Sequence, residues 1–210
     1  GPVAGYTADS AREPLAARFY QQKFAVSRAA HAVTRNRQLT ALALNYEDDS
    51  APDYGITARS TVGDWLPAGQ YAVLLSATSR DDKLWPESHW IELGRALHAR
   101  GWRAVFPGGS APEMLRAARL ATAIPDAIAA PRLKLGELAS LLADAQAVSG
   151  VDTGLTHLAV ALNTPTIALY TATDPGLTGV FGRGFHRNLG GKGQIPASHE
   201  VLAALDQAVR

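Results

Sequence analysis

Val151–Leu162, VDTGLTHLAVAL, runs through Asn163-Thr164-Pro165 into the apolar stretch Thr166–Tyr170, TIALY. It reads as the end of a buried strand, a tight turn, a helix and the next strand. The turn is Asp152-Thr153-Gly154. Thr153 or Asp152 is placed to cap the helix, and Gly154 leaves no side chain in the way of an approaching ligand. A helix start of this kind offers backbone N–H groups and a partial positive charge, so an anionic group such as a diphosphate can sit there. The same residues also fit an ordinary strand-to-helix cap. The rest of the chain decides between the two.

Working outward, strands and helices alternate. Tyr71–Ala77, YAVLLSA, is an apolar run suited to a buried parallel strand. Pro86-Glu87 opens a helix that runs to Arg100 and stops at Gly101. Trp102–Phe106 is the next strand, and Ser110 caps a helix carrying Met114, Leu115, Ala118 and Leu120. Ala127–Ala130 is a short strand, Leu135–Ala145 a helix, Ala147–Val151 a strand, and Ala197–Val209 a closing helix. The alternation predicts an α/β fold, a Rossmann-like parallel sheet flanked by helices on both faces. Gly182–Gly193 is glycine-rich and is expected to be a mobile loop, and Asp174-Pro175-Gly176 a turn.

The first part of the chain has a different pattern. Residues 1–9 read as loop. Ser10-Ala-Arg-Glu13 has the form of a capping box, and Pro14 suits a first helical turn. Leu15–Leu44 contains neither Gly nor Pro, so one long helix or two in sequence are expected. Arg12, Arg18, Lys23, Arg28, Arg35 and Arg37 face a single acid, Glu13. That run is a solvated helix face or a surface that meets a phosphorylated or membrane-bound substrate. Glu47–Tyr54, EDDSAPDY, breaks helices and reads as a domain boundary.

With 210 residues, 47% of them apolar, the chain can bury a good core. A net charge of +1 gives no overall push toward nucleic acid or membrane. There is no cysteine, so neither a disulfide nor a thiolate metal site can form. The sole methionine is Met114, so Gly1 is not an initiator and the chain is expected to be processed or a fragment.

In a parallel sheet ligands bind beyond the carboxyl ends of the strands. The loops Thr78–Pro86, Pro107–Glu113 and Asp152–His157 follow strands and are expected to converge on one crevice. Lys83 supplies a point charge for a phosphate, or is a solvated surface lysine. Thr78 and Ser79 carry hydroxyl donors. Glu113, after a Pro-Gly-Gly turn, either binds ribose hydroxyls or complements its helix dipole. Asp152 ends a buried strand, where an unpaired carboxylate is costly, so it caps a helix or holds a polar ligand. His157 lies one turn into the next helix and is structural or faces the same opening. The dinucleotide fingerprint GxGxxG, the phosphate loop GxxxxGK[ST], the GxSxG elbow and metal-ligand spacings are all absent.

Three segments in order carry a family resemblance: Ala77–Pro86, ATSRDDKLWP; Val151–His157, VDTGLTH; and Leu169–Leu177, LYTATDPGL. With Gly1–Gly5, GPVAG, and Ser10–Leu15, SAREPL, they extend it over nearly the whole chain. The sequence resembles glycosyltransferase family 9. Its R-D-D-K-x-W-P form is similar to the branch that adds the first heptose of the lipopolysaccharide core rather than the second. The resemblance implies the C-terminal half of a GT-B glycosyltransferase, inverting, with no metal and no cofactor. It implies ADP-L-glycero-D-manno-heptose as donor and Kdo-lipid A as acceptor. The acceptor and an aspartate general base would belong to the N-terminal domain of the same enzyme, largely missing from these residues. Residues 1–46 would be the remnant of that domain, 47–56 a linker and 57–210 the donor-binding domain. Lys83 would stabilise the leaving ADP, with Thr78 and Ser79 on the phosphates. Glu113 would bind ribose and the Leu133 backbone would meet adenine. Asp152 would hold heptose hydroxyls, with Thr153, Gly154 and His157 lining the phosphate–sugar end. Arg12 would face the acceptor. A cytoplasmic location, peripheral to the inner membrane of a Gram-negative cell, is implied as well. The alternatives are another family 9 transferase, such as the one adding the second heptose, or a nucleotide-binding module without catalysis.

Overall fold

The computed structural model describes residues 1–48, 50–59 and 63–208. Two compact units form, one from Gly1–Ala51 with Gly176–Gly179, the other from Pro52–Pro175 with Val180–Arg210.

In the smaller unit β1, Ala4–Tyr6, pairs in parallel with β2, Gln22–Phe24. A 3₁₀ helix, Pro14–Phe19, joins them, and α1, Ala32–Leu44, follows. The expectation of loop over residues 1–9 fails at β1, and Leu15–Leu44, expected as one long helix or two in sequence, holds the 3₁₀ helix and α1 with the unexpected β2 between them. Lack of Gly and Pro permits a helix but does not force one, and here strand pairing wins. Gly5 makes the pairing possible, since a Cβ there would lie 2.3 Å from the Tyr20 ring. The capping box is also not formed. Glu13 is extended and caps nothing, while the Ser10 hydroxyl accepts from the Val26 amide at 3.0 Å. The basic residues do not share one face either. Arg35 donates to the Ser10 carbonyl and lies over the Tyr6 ring, and Arg37 pairs with Asp48. Arg12, Arg18, Lys23 and Arg28 stay exposed.

The larger unit alternates as expected. Its elements are β3 (Tyr71–Leu75), α2 (Glu87–His98), β4 (Arg103–Phe106), α3 (Ala111–Thr122), β5 (Ile128–Ala129), α4 (Leu135–Ala143) and β6 (Ala147–Val151). Then come α5 (Gly154–Ala161), β7 (Thr166–Tyr170), β8 (His186–Gly190) and α7 (Ser198–Ala208), while the single turn α6 (Pro175–Thr178), between β7 and β8 in the chain, falls mostly in the smaller unit. All six sheet strands are parallel, in the order β5-β4-β3-β6-β7-β8. This is the doubly wound order of dinucleotide-binding sheets, and it reverses between β3 and β6.

Gly182–Gly193 is not a plain loop, because it contains β8, paired to β7 along five residues. The expected turn at Asp174-Pro175-Gly176 is largely taken up by α6, whose first two residues are Pro175 and Gly176. The last residue expected in the closing helix, Val209, and Asp49 of the acidic stretch lie outside the described residues.

Both faces of the sheet are covered. Leu74, Phe106, Val151, Ile167 and Leu169 meet Trp90 and Leu93 of α2, Leu120 of α3 and Leu205 of α7. On the other face Val73, Val105 and Val148 meet Leu141 and Leu142 of α4 and Ala159 of α5. Gly150 lets α5 sit close against β6: a Cβ there would lie 2.3 Å from Thr156 Oγ1 and 3.0 Å from Leu75 Cβ. The Thr156 hydroxyl donates to the Val151 carbonyl at 2.7 Å. These contacts fix the first turn of α5 directly above the end of β6, where the sheet order reverses.

Candidate functional site

The reversal puts the loops after β3 and β6 side by side. Lys83 ends a 3₁₀ turn, Asp81–Lys83, in the first loop, and Asp152 stands at the end of β6. Their side chains, 69 residues apart in sequence, meet with Lys83 Nζ donating to Asp152 Oδ2 at 2.7 Å. Side-chain exposures of 19% and 12% make this a largely desolvated pair, not two solvated surface charges. The solvated-lysine reading is thereby excluded. The Thr78 hydroxyl donates to the Asp152 carbonyl at 3.3 Å, and His157 Nε2 lies 4.0 Å from Asp152 Oδ1.

Neither Thr153 nor Asp152 caps α5 through its side chain, against the sequence expectation. Thr153 occupies the cap position with extended backbone and no side-chain hydrogen bond. The Asp152 carboxylate is turned instead to Lys83 and to Thr173, whose hydroxyl donates to Oδ2 at 2.8 Å. A half-buried carboxylate gains more from an ammonium and a hydroxyl than from amides it would have to curl back to reach. The first turn of α5 is left without a side-chain cap, which suits an external anion.

Beside this cluster is a pocket of about 130 Å³ lined by Leu75, Ala77, Pro107, Gly108, Gly109, Glu113, Leu138, Thr153 and Leu155. The loops after β3, β4 and β6 thus do converge. Gly108 has no room for a side chain, since a Cβ would lie 2.8 Å from the Met114 amide nitrogen. Glu113 closes a capping box with Ser110, and its Oε2 accepts from the Gly109 and Ser110 amides at 2.8 and 2.9 Å. Hydrogen bonding from the Ser110 amide holds its carboxyl below the ordinary glutamate value of 4.5. Glu113 therefore complements its helix start and lines the pocket at once.

Of the remaining residues singled out in the sequence, Ser79 and Gly154 are exposed near the cluster. Leu133 lies between β5 and α4 and packs, partly buried, on the same apolar cluster as Leu155. Arg12 is exposed in the smaller unit. Sequence reasoning missed Thr173 and Thr171, which follow β7. The available signal was their place just beyond the carboxyl end of a buried parallel strand. It also missed Trp85, which is 1% exposed and donates through Nε1 to the Pro196 carbonyl at 2.8 Å. Arg116 adds a second tie, donating to the Trp85 carbonyl and to Glu87 at 3.0 Å each. The segment that carries Lys83 is thus anchored just downstream of the lysine.

Comparison with known proteins follows the same lines. The family model described as glycosyltransferase family 9 (heptosyltransferase) matches residues 1–201. Lipopolysaccharide heptosyltransferase 1 of Pseudomonas aeruginosa is 48% identical over 183 residues, which are 87% of this chain and 51% of that protein. The chain spans about half the length of the curated heptosyltransferase 1 relatives it matches. The solved E. coli heptosyltransferase WaaC with ADP superposes with a TM-score of 0.83 at 37% identity, over 97% of this chain and 65% of that one. WaaC with ADP-2-deoxy-2-fluoro heptose gives 0.80, at the same 37% identity, over 97% and 64%.

Proposed function

The chain belongs to glycosyltransferase family 9, and from that premise we propose that its larger unit binds ADP-L-glycero-D-manno-heptose for transfer of heptose to Kdo of lipid A. The observation that carries the reading is the desolvated Lys83–Asp152 pair at the foot of an uncapped helix. A cation and a row of free amides suit a diphosphate, and a fixed carboxylate beside them suits sugar hydroxyls.

In the reaction the bond between the heptose anomeric carbon and the β-phosphate oxygen breaks, and its electron pair stays on ADP. An acceptor hydroxyl attacks the opposite face, so the configuration inverts, and its proton passes to a carboxylate base. Lys83 and the amides of Thr153–Leu155 stabilise the charge growing on the β-phosphate. Thr78 and Ser79 hold the phosphates, Glu113 the ribose hydroxyls, and the Leu133 backbone the adenine. Asp152 holds the heptose, and Thr153, Gly154 and His157 line the phosphate–sugar end. Residues 1–46 belong to the acceptor side, joined through 47–56 to the donor domain 57–210, and the base comes from outside this chain. These 210 residues then bind the donor without completing transfer.

Calorimetric titration of the chain with ADP and with ADP-heptose tests the reading. Both should bind, the sugar nucleotide more tightly. Equal affinities would favour a nucleotide-binding module without catalysis, and no binding of either would overturn the donor site.

The acceptor is an anionic lipid, and we place the enzyme at the cytoplasmic face of the inner membrane. Among the described residues no helix is long and apolar enough to cross a membrane. The smaller unit exposes Arg12 just ahead of the 3₁₀ helix, Arg18 within it and Lys23 beside Leu15, together with Leu15 at 65% and Phe19 at 78% exposure. Cations around apolar side chains suit an anionic surface. Cosedimentation with vesicles rich in phosphatidylglycerol should weaken in the Arg18→Glu/Phe19→Ser double variant. Unchanged sedimentation would remove this contact.

A further inference from the structure

We propose that Thr171 and Thr173 are positioning residues, each fixing one half of the Lys83–Asp152 pair, and that Thr173 thereby sets selectivity for the sugar part of the donor. The inference rests on the donor-binding reading above. Both hydroxyls come from the segment after β7, the strand next to β6 in the sheet. The Thr171 hydroxyl donates to the Asp82 carbonyl at 2.7 Å, within the 3₁₀ turn that ends in Lys83. The Thr173 hydroxyl donates to Asp152 Oδ2 at 2.8 Å, the oxygen that Lys83 also holds at 2.7 Å.

The need for two donors on one oxygen follows from torsional softness. The terminal torsion of an aspartate is broad, and a lysine ammonium on its flexible stem is a rotatable donor. Lysine alone leaves the carboxylate plane free to turn. A second donor from a different direction fixes the plane and directs Oδ1 away from the pair. His157 Nε2 lies 4.0 Å from Oδ1, beyond hydrogen-bond distance, so Oδ1 has capacity for a further hydroxyl donor. Thr171 acts on the other half: it holds the backbone from which the lysine projects.

The two threonines therefore differ in what their loss affects. Calorimetric titration of the 210-residue chain with ADP and with ADP-L-glycero-D-manno-heptose separates them. Thr173→Val should lose about tenfold in ADP-heptose affinity while ADP stays within about twofold. Thr173→Ser should restore the wild-type ratio, because it returns the donor. Thr171→Val should weaken both ligands in equal proportion, because it acts through the lysine. An unchanged ADP-heptose to ADP ratio in Thr173→Val overturns the proposal. So does an equal loss of both ligands accompanied by a fall in Tm, which marks a structural role alone. A wild-type chain that binds neither ligand overturns the donor reading instead.

Discussion

Lys83→Ala is expected to slow heptose transfer by about 10²–10³-fold in a transferase that combines this chain with its acceptor side, about 2.7–4 kcal/mol of transition-state stabilisation. The size follows from the desolvation of the pair. In a site with 12–19% side-chain exposure an ammonium acts on a growing phosphate charge with little screening. The change also leaves the Asp152 carboxylate with the Thr173 hydroxyl but without its cation. Lys83→Arg should recover part of the rate, since it keeps the charge but brings a wide planar fork to a place fitted to a point donor. The measurement is kcat and kcat/KM with ADP-heptose at fixed acceptor. Turnover equal to wild type in Lys83→Ala would take the lysine out of the chemistry.

The second large effect is on stability. Trp85→Ala should cost about 3–5 kcal/mol in urea unfolding, the range for removing a fully buried aromatic side chain. Trp85 is 1% exposed, packs edge-to-face on Trp90 with ring centroids 4.8 Å apart, and ties the Lys83 segment to the Pro196 carbonyl ahead of α7. Trp85→Phe keeps most of the ring but strands that carbonyl, so about 1–3 kcal/mol is expected. If Trp85→Ala costs less than about 1 kcal/mol, the anchor is not a rigid one. The two variants differ in a useful way: loss of Lys83 should spare stability more than loss of Trp85 does.

Much of the larger unit was legible because its strands are buried on both faces. Ala147–Val151, apolar apart from Ser149, and Thr166–Tyr170 stand out as short runs between turn residues, and the structure keeps both limits. β8 was not legible. His186-Arg187-Asn188-Leu189-Gly190 is polar because an edge strand has one neighbour and partial exposure, and its glycine-rich flanks suggested loop. β1 and β2 are three residues each, too short to carry any periodicity. Their pairing depends on a partner 18 residues away in sequence, which a local pattern cannot report.

The sequence by itself determined the alternation of strands and helices, the small residues where backbone comes close, and the polar loops at the strand ends. Those are local properties, set by hydrophobic period and by turn chemistry. Only the tertiary structure decided that Asp152 turns away from its own helix toward Lys83, and that Thr173 shares the same oxygen. The partners lie 69 and 21 residues from Asp152. Which loops become neighbours depends on strand order, and strand order is chosen by how whole helices pack on the two faces of the sheet.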